Sequence, residues 1–129
     1  MIISHKYKFI FVKTNKTAGT SIEIALSKHC GADDVITPIL PEDEKIRKEL
    51  GYPGPQNYLA PLSSYGFHDF VKLLFRRKKK KLFHNHIAAQ KVKAVVGEQI
   101  WNEYYKFCFE RNPFDRFISL YYWSYKTEP

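Results

Sequence analysis

The sequence predicts an α/β domain with a central parallel sheet flanked by helices, and three observations predict it. Two aromatic and β-branched runs, "YKFIFV" at 7–12 and "YKFCFE" at 105–110, have the near-continuous apolarity of strands buried on both faces. Each is followed by a polar loop and then a helical pattern, so a strand-loop-helix unit occurs twice. With 129 residues, 44% hydrophobic and 16% aromatic, the chain has apolar material for one core and hardly for two, so 1–129 is read as a single domain.

The first strand covers Tyr7 to Val12. A helix over Thr20 to His29 follows, with Ile22, Ala25 and Leu26 on one face and Gly31 where it stops. Five of the seven prolines then fall between Thr37 and Leu62, interrupted by the helix-favouring "EDEKIRKEL" at 42–50, which predicts a loop-rich excursion carrying one short helix. "FHDFVKLLF" at 67–75 reads equally as a helix or an irregular apolar segment, and it runs into "RRKKKK" at 76–81, read as a solvated face. His86 to Val96 is amphipathic through Ile87, Val92, Val95 and Val96. Gly97 ends it, and a short helix covers Glu98 to Tyr104. After the strand at Tyr105 to Glu110, "RNPFDRFISLYYWSYK" begins a last helix, with Asn112 suited to the N-cap, Pro113 to the first helical position and Asp115 to the first turn.

Twenty-one Lys and Arg against thirteen Asp and Glu give a net charge of +8, which favours an anionic partner: a nucleotide, nucleic acid, a sulfated glycan or a membrane surface. Cys30 and Cys108 match no CxxC or Cys/His metal spacing and are read as buried free thiols. No apolar run approaches a membrane span, and "MIISHKYKFIFVK" interleaves basic residues where a signal peptide needs an apolar core. A soluble chain is expected, cytoplasmic if bacterial or viral.

The loop "NKTAGTS", residues 15–21, lies between the first strand and the first helix. A helix N-terminus offers unpaired N–H groups and partial positive charge to a phosphate or sulfate. Gly19 allows close backbone approach, Thr17, Thr20 and Ser21 offer hydroxyls, and Lys16 offers a mobile cation. The loop is not a Walker A sequence, which places its lysine after the last glycine. The competing reading is an N-capped helix beside a surface lysine. At the second junction Arg111 follows the strand directly, able to grip a phosphate with two hydrogen bonds, and Ser119 lies two turns into the helix. The competing reading there is an Arg111 paired with Glu110 or Asp115 and a solvent-facing Ser119.

Two motifs resemble those of the sulfotransferases that use 3′-phosphoadenosine 5′-phosphosulfate (PAPS), particularly the Golgi carbohydrate branch and its bacterial and phage-like relatives. "FVKTNKTAGTSIE" is similar to the family's 5′-phosphosulfate loop, and "FCFERNPFDRFISLYY" to its 3′-phosphate motif. "HNHIAAQKVKAVVGEQIWNEYYKF" resembles the segment that precedes the second motif, so the likeness covers most of 5–125, weakly over 31–80. It implies a P-loop-like three-layer domain that moves a sulfuryl group to a hydroxyl or amine without a metal. By motif position Lys16 contacts the bridging oxygen, Thr17, Ala18, Gly19, Thr20 and Ser21 hold the 5′ phosphate, and Arg111 and Ser119 hold the 3′ phosphate. Family members continue beyond the second motif, so the usual C-terminal part is expected to be missing here.

A general base is also needed, and His86, placed before the upstream helix, is the first candidate, with His84 second. The likeness implies a carbohydrate acceptor. Trp101, Trp123, Tyr104, Tyr105, Tyr121, Tyr122, Phe114 and Phe117 can stack on an adenine or a sugar, but are read as core. Two other functions compete. A nucleotide-binding phosphotransfer domain would need magnesium and lacks the Walker A lysine position. A noncatalytic basic module would bind nucleic acid or acidic glycan through 76–81, yet that run lacks the interleaved aromatics of a single-strand binding surface.

Overall fold

The apolar runs near residues 10 and 106 are strands, and they are neighbours. In a computed structural model, which describes residues 1–77 and 79–127, four short strands form one sheet in the order β3-β1-β2-β4. These are β1 (Ile2–Ser4), β2 (Phe9–Phe11), β3 (Val35–Ile36) and β4 (Tyr105–Phe107). Five helices accompany them: α1 (Gly19–Ser27), α2 (Pro41–Glu49), α3 (Phe67–Arg76), α4 (Ala89–Glu103) and α5 (Pro113–Thr127).

The α/β class is as expected, but the sheet is mixed. Only β2 and β4 pair in parallel, with Phe9 opposite Tyr105 and Phe11 opposite Phe107. β1 runs antiparallel to both β2 and β3. A tight turn over residues 5–8 joins β1 to β2, with Lys8 at φ 52°, and so short a connection permits only antiparallel pairing. The parallel pair is the one that carries the two strand-loop-helix junctions.

Cross-strand neighbours divide the core by sheet face. Ile3, Ile10 and Val35 share one face and cluster with Phe83, Ile87, Val92 and Tyr104 from the segment leading into and through α4. Ile2, Phe11 and Ile36 share the other face and are equally buried; α1 lies against β1, and its Ile24 is buried too. Each fully buried side chain of this kind contributes about 1.5–3 kcal/mol. The three-residue β1 therefore matters beyond its length, because it supplies core to both faces.

Gly97, at φ 82°, kinks α4 where the sequence places a helix end. The ambiguous segment at 67–75 is helical. Ala60 N–H donates to Lys80 O (2.9 Å), and Leu82 N–H donates to Tyr58 O (2.9 Å). This short antiparallel tie holds α3 on an excursion from the body.

Candidate active site

Parallel pairing of β2 and β4 puts their carboxyl ends, and the loops that leave them, side by side. Val12 N–H donates to Phe107 O (2.9 Å), extending the ladder by one bond. Beyond it, Thr14 Oγ1 donates to Phe109 O (2.6 Å). That bond uses Thr14's only hydroxyl proton, so Thr17 Oγ1, 2.9 Å away, is the donor in the Thr14–Thr17 pair. Thr17 is buried, and its hydroxyl is engaged by Thr14 within the first loop, where Thr14 O also lies 3.2 Å away, while Thr14 makes the bond across to the second junction.

The loop backbone is strained. Lys16 (φ 62°) and Ala18 (φ 57°) both adopt left-handed conformations, which cost an L-residue about 1–2 kcal/mol each. Such kinks turn successive N–H groups toward a common point, the geometry of an anion-binding nest. Ala18 is the N-cap of α1 and provides no side-chain cap, so the first-turn N–H groups have no hydroxyl or carboxylate of the cap residue over them. A loop intended merely to cap its helix would hold Ser, Thr, Asp or Asn at this position.

Lys13, absent from the sequence-based site, is the hub of the arrangement. Its side chain is buried, and Nζ donates to Thr20 Oγ1 (2.8 Å) and pairs with Glu23 Oε2 (3.3 Å). Because Thr20 accepts from Lys13, its own hydroxyl proton is left for an anion. Glu23, wholly buried in α1, also lies 2.9 Å from the Met1 amino group and 3.9 Å from the buried Arg47 guanidinium, and accepts from Thr37 Oγ1 (3.1 Å). A Cβ on Gly19 would come within 2.7 Å of Lys13 Cγ. The glycine therefore serves the packing of the lysine stem, where the sequence suggested room for an anion. No motif announces Lys13 or Glu23; their signal is burial and pairing, which a lone sequence does not display.

His86 reaches the same place from the segment before α4. Its Nδ1 lies 3.3 Å from Lys13 O. A carbonyl can only accept, so Nδ1 carries the proton and Nε2 keeps its lone pair. Burial, followed by the Lys13 cation, holds the His86 pKa below its ordinary value, favouring the neutral ring. His86 also takes a left-handed φ of 58°, a further strained residue at this edge. His84 instead places Nδ1 2.9 Å from the neighbouring Asn85 O; both rings are exposed, so the contact with Lys13 is what distinguishes His86.

The second junction is open. Arg111 is exposed and, among the described residues, forms no ion pair with Glu110 or Asp115. Asn112 Oδ1 accepts from Phe114 N–H (3.0 Å), the N-cap expected of it. Ser119 is half-buried on α5. Lys16 Nζ lies 4.7 Å from the centre of the Trp123 ring, so a cation–π contact links the first loop to α5, and partial burial lowers the lysine's pKa.

The expected aromatic core on α5 is not found: Phe114, Phe117, Tyr121, Tyr122 and Trp123 are all more than half exposed, whereas Tyr104 is buried and Trp101 packs against the core. The stacking reading thus gains ground for α5. Cys108 is also exposed, contrary to expectation, while burial pushes the Cys30 thiol up to about 12.

These two junctions follow the order and strand contexts of the sulfotransferase motifs, and a model of the sulfotransferase family matches residues 1–126. The chain belongs to the sulfotransferase family. No curated protein and no solved structure matches it. Membership makes sulfuryl transfer the family chemistry and an acceptor substrate its counterpart. Among the described residues of this sulfotransferase no group of three or more His, Cys, Asp and Glu could hold a metal, and no helix is long and apolar enough to cross a membrane.

Proposed function

We propose that this chain transfers a sulfuryl group from PAPS to a hydroxyl or amine, with carbohydrate as the acceptor class. The supporting observation is the convergence of both phosphate motifs and His86 on the carboxyl edge of one parallel strand pair, where ligands of α/β sheets sit. The uncapped, strained loop 16–19 and the unpaired Arg111 fit a ligand with anionic groups at two ends.

The donor contributes a sulfuryl group activated by a mixed-anhydride bond to a 5′ phosphate, and the 3′ phosphate serves as a handle. In this assignment the N–H groups of Thr17, Ala18, Gly19, Thr20 and Ser21, with the free proton of Thr20, hold the 5′ end. Arg111 and Ser119 hold the 3′ phosphate. Lys16 leaves the Trp123 face to balance negative charge on the departing phosphate oxygen, a role open to it because its stem is long and its contact is weak. His86 Nε2 removes the proton of the attacking hydroxyl, and its bond to Lys13 O keeps the correct nitrogen free.

Calorimetric titration with 3′-phosphoadenosine 5′-phosphate in magnesium-free buffer tests this directly. Wild type should bind, and Arg111→Ala should bind about tenfold or more weakly, since hydrogen bonds to charged groups contribute about 1.5–3 kcal/mol. Lys16→Ala should keep that affinity within a few fold and lose roughly 100- to 1000-fold in transfer to a carbohydrate hydroxyl. A folded wild-type chain that ignores this nucleotide, or that hydrolyses ATP only with magnesium, would sink the assignment.

A further inference from the structure

We propose that α3 and the basic segment after it form a docking surface for anionic lipid membranes, independent of the transfer site. Leu73 is half-buried to one side, and the other five apolar residues of α3, Phe67, Phe70, Val71, Leu74 and Phe75, stand at i, i+3, i+4, i+7 and i+8. At 3.6 residues per turn they fall within an arc of about 140°. A face of this width ordinarily packs on a core. Here all five side chains are exposed, with Phe67 at 88%, Leu74 at 77% and Phe75 at 79%.

The second observation is charge. Residues 61–81 hold seven Lys and Arg against the single acid Asp69. That acid is already paired, Lys80 Nζ lying 2.9 Å from Asp69 Oδ2. Arg76, Arg77, Lys79 and Lys81 are exposed next to the apolar face. The tie between Tyr58–Ala60 and Lys80–Phe83 anchors both ends of the excursion, presenting helix and cations together.

A lipid surface is the partner whose chemistry matches both halves. Nucleic acid or sulfated glycan would draw on the cations and leave three phenylalanines and a leucine in water. A protein groove would take the apolar face but need not be anionic. An anionic bilayer accepts Phe and Leu among its acyl chains while its headgroups meet Lys and Arg. Ten residues of helix span only about 15 Å, half a bilayer core, so α3 lies in the interface plane and does not cross it.

The test is co-sedimentation of the full chain with vesicles of 30% phosphatidylserine in phosphatidylcholine, beside vesicles of phosphatidylcholine alone. The wild type should partition to the anionic vesicles at least tenfold more strongly. Leu74→Ser with Phe75→Ser should reduce that partition tenfold or more, and Arg77→Gln with Lys79→Gln should reduce it by roughly fivefold per residue, as expected for about 1 kcal/mol per cation. As a check that does not depend on the serine variant folding, Phe75→Trp should gain fluorescence quenching by brominated lipid over the wild-type background. Absence of wild-type binding would overturn the proposal. So would binding unaffected by the serine pair together with no quenching of Phe75→Trp, the signature of simple polyanion adhesion, or capture of α3 within a dimer that shows no lipid binding.

Discussion

The two strand-loop-helix junctions share a sheet edge and differ in almost everything else. The first is built in advance: Lys13, Thr17, Gly19 and Glu23 are buried, their polar groups are paired, and two non-glycine residues are held at positive φ. The second is a short exposed turn in which Arg111 extends into solvent and Asn112 caps α5. A rigid loop suits the end of a ligand where bonds change, since positioned charge then costs no reorganisation. An exposed guanidinium suits the proposed role of a handle that is gripped and released.

The contrast is broken most forcefully at Glu23. Glu23→Ala would leave Lys13 buried without its carboxylate and Arg47 with Glu44 alone, a loss of about 3–5 kcal/mol. Urea unfolding should register it, and an unchanged midpoint would mean that the first junction is not held by this network. Next in size is Gly19→Ala, whose methyl group must displace the Lys13 stem. Overpacking of this kind costs about 1–3 kcal/mol, and thermal melting with a transfer assay should show stability and turnover falling together.

At the second junction Asn112→Ala removes only a cap, worth about 1 kcal/mol, and the melting temperature should drop by correspondingly less than for Gly19→Ala. The smallest effect concerns pH. Because the His86 pKa is lowered, the neutral ring already dominates at pH values where an ordinary histidine is half protonated. The transfer rate should rise with pH, with a midpoint below the usual histidine value, and lose that limb in His86→Ala. A midpoint above 6.5, the ordinary histidine value, would contradict the geometry.

Both junctions were legible in the sequence because each joins an apolar run to recognisable loop chemistry. Asn112-Pro113 marks a helix start by local rules alone, and the helix begins there. β1 and β3 were not legible: strands of three and two residues have no period, and Ile3 finds Val35 only after a long stretch of chain has folded back. Lys13 carries no sequence signal, since nothing local distinguishes a buried paired lysine from an exposed one. α3 was ambiguous for the opposite reason. Its helical pattern is strong, but its apolar face covers no core that would have settled the question.

The pairing of Phe9 with Tyr105 brings together residues from nearly opposite ends of the sequence. Contacts of such separation slow folding, since the entropy of closing the intervening chain comes before any reward. The same closure is forgiving of length, because doubling a flexible loop adds only about 0.6 kcal/mol. The exposed excursion that carries α3 can therefore lengthen, shorten or change its charge with little penalty to the edge, whereas β3, Arg47, Phe83 and His86 on either side of it are held by the core and the site. The helix proposed to face lipid can be remodelled there while the pair of strands that holds the junctions stays as it is.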